Sequence, residues 1–261
     1  MEPEPLERHE FDAPELVAAH PPVLGNRNKR VVYEVACPAG TVHQGRIACT
    51  RWGAMALPTT VDPLAAADAV VARSGYYDYV PARDLAAAME WHVNFADPHL
   101  FAYYGSGLFA QDEMQVAEHP ALGALREGLV ARGLPAVTAT SGGPTPVLVM
   151  GVERRCRVET APNAAAGRPR GLYGNRFAAA DPESVRRATT RLDPTTVSNI
   201  VAMAALQPGH GRYTRRQIEV VLETAFTGFR AAVLESRRVP GSRSVFVHTG
   251  YWGCGAFGGN R

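Results

Sequence analysis

Two stretches of the 261-residue sequence carry residue types that could do chemistry. The first is Gln111-Asp112-Glu113, placed after a small-residue loop, Gly105-Ser106-Gly107. Adjacent carboxylates repel, and burial of either raises its pKa and keeps a proton available. A general acid at a glycosidic bond needs that property. The same residues would also suit a solvated helix start, where the helix dipole favours acids. The second stretch is TGYWGCGAFGG at 249–259, which follows the apolar run RSVFVH. Glycines at the carboxyl end of a strand let backbone N–H groups approach an anion with no Cβ in the way. A pyrophosphate cradle and a tightly packed turn that binds nothing are about equally compatible with that composition. No helix and no acidic residue follows the Gly253–Gly259 run, so it is not a Rossmann signature.

The surrounding elements must place these stretches at strand ends. VVYEVAC at 31–37 reads as a strand. DPLAAADAVVARSG at 62–75 reads as a helix, with Asp62 as N-cap and Gly75 as stop, and ARDLAAAMEW at 82–91 reads as another. PTPVLVMGVERRCRVET at 144–160 contains a strong strand, and 161–176 has the Gly/Pro/Asn content of a long loop. SNIVAMAAL at 198–206 is a short buried strand or helix that periodicity leaves open. Residues 214–236 form the clearest helix: Thr214 and Gln217 make a capping-box pattern, and Ile218, Val221, Leu222, Ala225, Phe229, Ala232 and Val233 trace a core-facing stripe. Helix followed by strand followed by glycine-rich loop is α/β grammar. Residues 1–29 read as a loose polar segment, and 30–261 as a single domain.

Composition removes several classes. A net charge of +2 argues against nucleic-acid binding by bulk electrostatics. The basic pairs Arg154-Arg155, Arg186-Arg187, Arg215-Arg216 and Arg237-Arg238 read as solvated faces. No apolar run reaches the length of a membrane span, and the acidic, proline-rich start is unlike a signal peptide. Cys37, Cys49, Cys156 and Cys254 show no paired spacing, so neither a disulfide framework nor a metal site is expected, and a reducing cytoplasm is the default. His119 and His248 read as hydrogen-bonded structural histidines, Cys254 as a packing residue and Trp252 as an anchor for its loop.

Together the two stretches resemble the poly(ADP-ribose) glycohydrolase family. TGYWGCGAFGG is similar to that family's diphosphate-binding loop, and Gln111-Asp112-Glu113 to its Gln-Glu-Glu. RYTRRQIEVVLETAFTGF at 212–229 resembles the family helix that ends in Gly-Phe. The resemblance covers roughly residues 88–120 and 198–261. It implies an α/β fold with a macrodomain-like mixed sheet flanked by helices and an N-terminal helical extension. It also implies hydrolysis of the ribose O-glycosidic bond in ADP-ribose polymers or adducts, with no cofactor. Glu113 takes the place of the catalytic acid, and Asp112 that of the residue holding the reacting ribose's hydroxyls. Asp97, Gly105, Ser106, Gly107, Gln111, Gly250, Tyr251, Gly253, Cys254, Gly255, Ala256 and Phe257 take substrate-binding positions.

This sequence departs from the family in several places. Asp97 stands where the family has Asn, Tyr103 and Tyr104 precede Gly105 in place of a triple glycine, and Tyr251 replaces Asn in the final loop. Bulky Tyr103 and Tyr104 should reshape the pocket around the terminal ribose, and Asp97 should raise the proton affinity of the carboxylate cluster. Two alternatives stay open: hydrolysis of another adduct (a mono-ADP-ribosyl protein, a nucleobase or an NAD-derived metabolite), and a non-catalytic ADP-ribose-binding macrodomain.

Overall fold

The computed structural model describes residues 2–60, 69–80, 88–207, 211–242 and 244–260. Among them six strands form one mixed sheet in the order β1-β2-β6-β7-β3-β8. The strands are β1 (Glu7–Asp12), β2 (Arg46–Arg51), β3 (Ala88–Ala96), β6 (Val147–Val158), β7 (Thr189–Ala204) and β8 (Ser244–His248). The short β4 (Ala139–Thr140) and β5 (Gly143–Pro144) make a separate hairpin. β1, β2, β6 and β7 pair antiparallel in succession, whereas β3 runs parallel to both β7 and β8. The carboxyl ends of β7, β3 and β8 therefore open on the same edge of the sheet.

The middle of the sheet is covered on both faces, which explains why its strands read as near-continuous apolar runs. On one face Phe11, Ile47, Val147, Val149 and Ile200 pack with Leu16 of α1 (Ala13–Ala19) and with Leu122 and Leu125 of α4 (Ala121–Ala131). On the other, Trp52, Trp91, Leu148, Val201 and Met203 meet Ala231, Ala232 and Leu234 of α7 (Arg215–Arg237). Neighbours such as Leu148 and Val149 enter opposite layers, as the two-residue period of a strand requires. A third cluster joins Val32 and Ala36 of α2 (Arg27–Ala36) to Phe109, Leu172, Phe177 of α5 (Arg176–Ala179) and Val185 of α6 (Pro182–Ala188).

Several expectations hold. The strand within 144–160, the loop at 161–176, the strand before the final loop and the Thr214-capped helix are all present. Residues 200–204 resolve as strand, the end of β7. No described helix is long and apolar enough to cross a membrane.

Other expectations are corrected. Residues 31–36 are helical, not a strand, and Cys37 is the cap that follows. Asn26 caps this helix by accepting from the Asn28 N–H, and burial recurs at Asn28, Val32 and Ala36, a helical spacing. Residues 88–91 belong to β3, where Trp91 is buried between two strands; 82–87 lie outside the described residues. Of the helix expected at 62–75, residues 62–68 also lie outside them, and 69–75 are not helical. The segment expected to be loose holds β1, whose full length pairs with β2, and α1, capped by Asp12. Arg154 and Arg155 are buried, not solvated, because Glu118 and Glu153 neutralise them at 2.8 and 2.6 Å.

The stripe on α7 is also displaced. Ile218 and Leu222 are about half exposed, and the packed face is made by Thr224, Thr227, Gly228, Ala231, Ala232 and Glu235. Small residues set that face because the helix crosses the sheet closely. A Cβ on Gly228 would lie 2.3 Å from the Met203 sulfur and 3.2 Å from a Val201 methyl. Gly228→Val is therefore expected to cost about 1–3 kcal/mol by overpacking, read as a lowered urea midpoint with an unchanged m-value.

Candidate functional site

The site gathers at the edge where β7, β3 and β8 end. β8 pairs with β3 only as far as His92–His248, so β3 continues for four residues beyond its neighbour. Gln111 fills part of that gap. Its side chain accepts from the Phe95 N–H at 2.7 Å and donates to the Val93 carbonyl at 3.0 Å. The start of α3 (Gln111–Glu118) is thereby fastened to the strand, and the next two residues, Asp112 and Glu113, are brought into the interior.

Asp112 accepts from the Asn94 amide at 3.0 Å. Burial first, then the charge of Glu113, pushes its carboxyl up to about 7; Asp97 adds a smaller push in the same direction, as its position in the sequence suggested. Near neutral pH Asp112 thus holds a proton in a large fraction of molecules, directly beside Glu113. Glu113 is held differently. The residue before the helix is Ala110, which has no capping side chain, so Glu113 Oε2 reaches back to the Ala110 N–H at 2.9 Å. The acids mark a helix start, as the sequence allowed, but a buried one.

Two residues join the site without a motif to announce them. Lys29 is buried on α2, donates to the Tyr104 carbonyl at 2.7 Å and lies 5.1 Å from the centre of the Phe109 ring. Burial lowers its pKa to about 8 against the opposing pull of Glu113 and Asp112, so a cation stands behind the two acids. Tyr173 lies between the two halves of the site. Its hydroxyl is 2.8 Å from where a Cβ on Gly255 would sit, and its pKa is raised by burial, by Tyr76 and by the charge of Glu113. The only sequence signal for Tyr173 was an aromatic residue inside a glycine-rich loop. Lys29 fell in the stretch read as unstructured.

The 249–260 loop is built from consecutive turns. The N–H groups of Trp252, Cys254, Gly258 and Gly259 bond the carbonyls of Gly250, Tyr251, Gly255 and Gly253. Among the described residues no acceptor meets the N–H groups of Gly255, Ala256 and Phe257, and Gly255 and Ala256 are exposed. Successive free N–H groups of this kind make an anion-binding concavity. Gly259 is required by close approach, since a Cβ there would come within 2.7 Å of the Gly253 carbonyl oxygen. Trp252 anchors the loop through a bond to the Met203 carbonyl at the end of β7, as expected. Tyr251 is exposed, and Cys254 turns its sulfur towards the Asn260 carbonyl at 3.0 Å.

The remaining sequence-derived positions are engaged by the protein's own groups. Asp97 closes the end of β3, accepting from the His99 N–H at 2.9 Å and the Gln207 amide at 3.2 Å. The backbone at Gly105 is covered by the chain at 23–26. A Cβ there would meet the Val23 oxygen at 2.2 Å, and the Gly105 carbonyl accepts from the Asn26 N–H. Gly107 faces Ala178 in the same way, while Ser106 Oγ accepts from the Leu108 N–H. Tyr104 is drawn towards the amino-terminal segment and α4. It is buried, its hydroxyl accepting from Val23 N–H and donating to Glu127, while Tyr103 is exposed. His119 bonds Gln115 and Ser198, and His248 bonds Glu90, both as structural histidines do.

Comparison with known proteins gives the same direction for the carboxyl-terminal part. Residues 168–261 match the family model described as poly(ADP-ribose) glycohydrolase (PARG), macro domain fold. None of the curated proteins matches. Among solved structures, the chain is similar to a mutant poly(ADP-ribose) glycohydrolase from Thermomonospora curvata, at 16% identity over 66% of this chain and 53% of that one, with a TM-score of 0.40. The same enzyme bound to the inhibitor ADP-HPD gives 16%, 66%, 53% and 0.41. A further structure of it gives 15% identity over 89% of this chain and 82% of that one, with a TM-score of 0.47. The chain thus spans about half the length of the first two.

The raised Asp112 carboxyl has a stability consequence. Its folded pKa lies above the unfolded value, so the folded state holds the extra proton, and stability falls as pH rises from about 4 to about 7. Asp112→Asn removes that loss. The variant should exceed the wild type by up to about 4 kcal/mol at about pH 8, with the gain vanishing below about pH 4. Urea unfolding across this range checks it; a pH-independent difference would refute the assignment.

Proposed function

We propose, from the match of residues 168–261 to the poly(ADP-ribose) glycohydrolase family model, that the chain belongs to that family and hydrolyses the ribose O-glycosidic bond of ADP-ribose polymers or adducts. The observation that carries this reading is the buried Asp112/Glu113 pair, with the Asp112 carboxyl raised, beside a loop with free N–H groups and with Tyr173 between them. The pyrophosphate rests against the N–H groups of Gly255, Ala256 and Phe257, and Phe257 packs on the distal ribose.

Glu113 is the general acid. Its Oε2 already accepts the Ala110 N–H, so the transferable proton is carried on Oε1. As the C1″–O bond breaks through an oxocarbenium-like state, that proton passes to the leaving oxygen. The carboxylate left behind takes a proton from the incoming water, whose oxygen bonds C1″, and the acid is restored. Asp112, steadied by Asn94, holds the ribose hydroxyls. Lys29 offsets negative charge behind both acids.

A second reading, hydrolysis of a smaller ADP-ribosyl adduct, is favoured by one feature. The 23–26 segment occupies the space beside Gly105 where the family resemblance put the ribose-side wall. A non-catalytic binder gains little from two buried acids at that position.

The test is release of free ADP-ribose from poly(ADP-ribosyl)ated and from mono-ADP-ribosylated protein. Glu113→Gln should lower the rate by about 10²–10⁴-fold while ADP-ribose affinity stays within a few-fold. Release from the mono-modified protein alone would select the second reading. An active Glu113→Gln variant would remove the acid assignment.

A further inference from the structure

A second group of chemically capable side chains lies on the sheet, before the strand ends that carry the acid pair. Glu90 and His92 are two residues apart on β3 and so project from the same face. His248 of β8 stands opposite His92 in the strand register. Three side chains from two adjacent strands thus converge above one point of the sheet. One ligating atom from each lies within 4.8 Å of the others. His248 Nε2 is already 2.8 Å from a Glu90 oxygen, and the two imidazole rings lie 4.5 Å apart.

From this arrangement we infer that Glu90, His92 and His248 bind a divalent transition-metal ion of the zinc class, which pins β8 to β3 at the root of the 249–260 loop. Two imidazoles and a carboxylate are the donor set of a borderline metal; calcium and magnesium call for oxygen alone. Bonds of about 2.0–2.2 Å place tetrahedral donors roughly 3.3 Å apart, so the Glu90–His248 pair opens slightly from 2.8 Å while the widest pair, within 4.8 Å, closes by up to about 1.5 Å. His248, the more exposed ring, supplies that movement by turning towards the ion. His92 needs none of it. Its ring is clamped by Tyr79 stacked at 4.3 Å on one side and Tyr77 edge-on at 5.4 Å.

An independent observation points to a ligand. His92 is 5% exposed, and its Nδ1 is buried with no hydrogen-bond partner among the described residues. Buried polar nitrogens are nearly always satisfied, and a metal ion would satisfy this imidazole. Glu90 and His248 are only partly buried, which leaves a path for the ion and a fourth position for water. The pin has mechanical sense. Among the described strands β8 is paired only to β3, and the loop that begins at Thr249 depends on it.

The inference stands apart from the proposed hydrolysis and is tested without it. The full chain, stripped with a chelator, is titrated with Zn²⁺ against a chromophoric competitor. One ion per chain should bind with a micromolar or tighter Kd, raise the thermal midpoint and show only nitrogen and oxygen neighbours by X-ray absorption. His248→Ala and Glu90→Gln should each weaken binding tenfold or more, whereas Cys37→Ser and Cys254→Ser should not. Absence of stoichiometric binding, sulfur in the coordination shell, or a smaller than tenfold loss would each overturn the site. If His248→Ala does not fold, Glu90→Gln alone decides.

Discussion

The site depends on the fastening of Gln111 to the free edge of β3. An exposed strand edge presents unpaired N–H and C=O groups, and β3 has such an edge wherever β8 stops short. The Gln111 amide satisfies one donor and one acceptor on that edge, at Phe95 and Val93. Because the amide belongs to the first residue of α3, the helix start is held at a fixed distance from the strand. Asp112 then meets Asn94 on the same strand, and Glu113 turns back to cap its own helix. Gln111 reads in the sequence as a substrate contact. Its bonds make it the mount on which the two acids sit.

The amino-terminal segment is the second support. Three contacts tie it to the loop before α3: Lys29 to the Tyr104 carbonyl, Asn26 to the Gly105 carbonyl and Val23 to the Tyr104 hydroxyl. Asn28 continues the same belt to the carbonyls of Phe177 and Ala180. The close approach of Val23 to Gly105 is possible only because Gly105 has no Cβ. In this chain a glycine of the small-residue loop therefore serves the protein's own backbone. The belt also carries a charge to where it counts, since Lys29 is the cation that both acids feel.

Legibility in the sequence followed the physical range of each signal. The Thr214–Gln217 capping box is a contact within one turn, and it is formed as read. β8 and the loop after it were legible because an apolar run ended abruptly in glycines. The Val31-Val32 pair misled, since β-branched residues favour strands while the Asn26 cap and the burial of Asn28, Val32 and Ala36 select helix. Ile218 and Leu222 misled because periodicity gives a helix face but not its angle to the sheet, which Gly228 and Ala231 decide by letting the backbone approach. In the site, Asp112 and Glu113 were found through their adjacency. Lys29 and Tyr173 were not, because each arrives from a distant segment and acts through distance alone.

The acid pair and the anion loop share no sequence neighbourhood, yet their separation is set by the same three parallel strands. The acids hang from β3, and the loop hangs from β8 and is tied by Trp252 to the end of β7. Parallel strands lie about 4.8 Å apart and resist shear, so the two halves cannot drift independently. Tyr173 closes the remaining side, in contact range of Gly255 and within the field of Glu113. Under the proposed function, a ligand held by its anion at the loop would be presented to the acids with little freedom left to lose. That pre-set geometry is the part of a catalytic advantage that a fold can supply before any bond is broken.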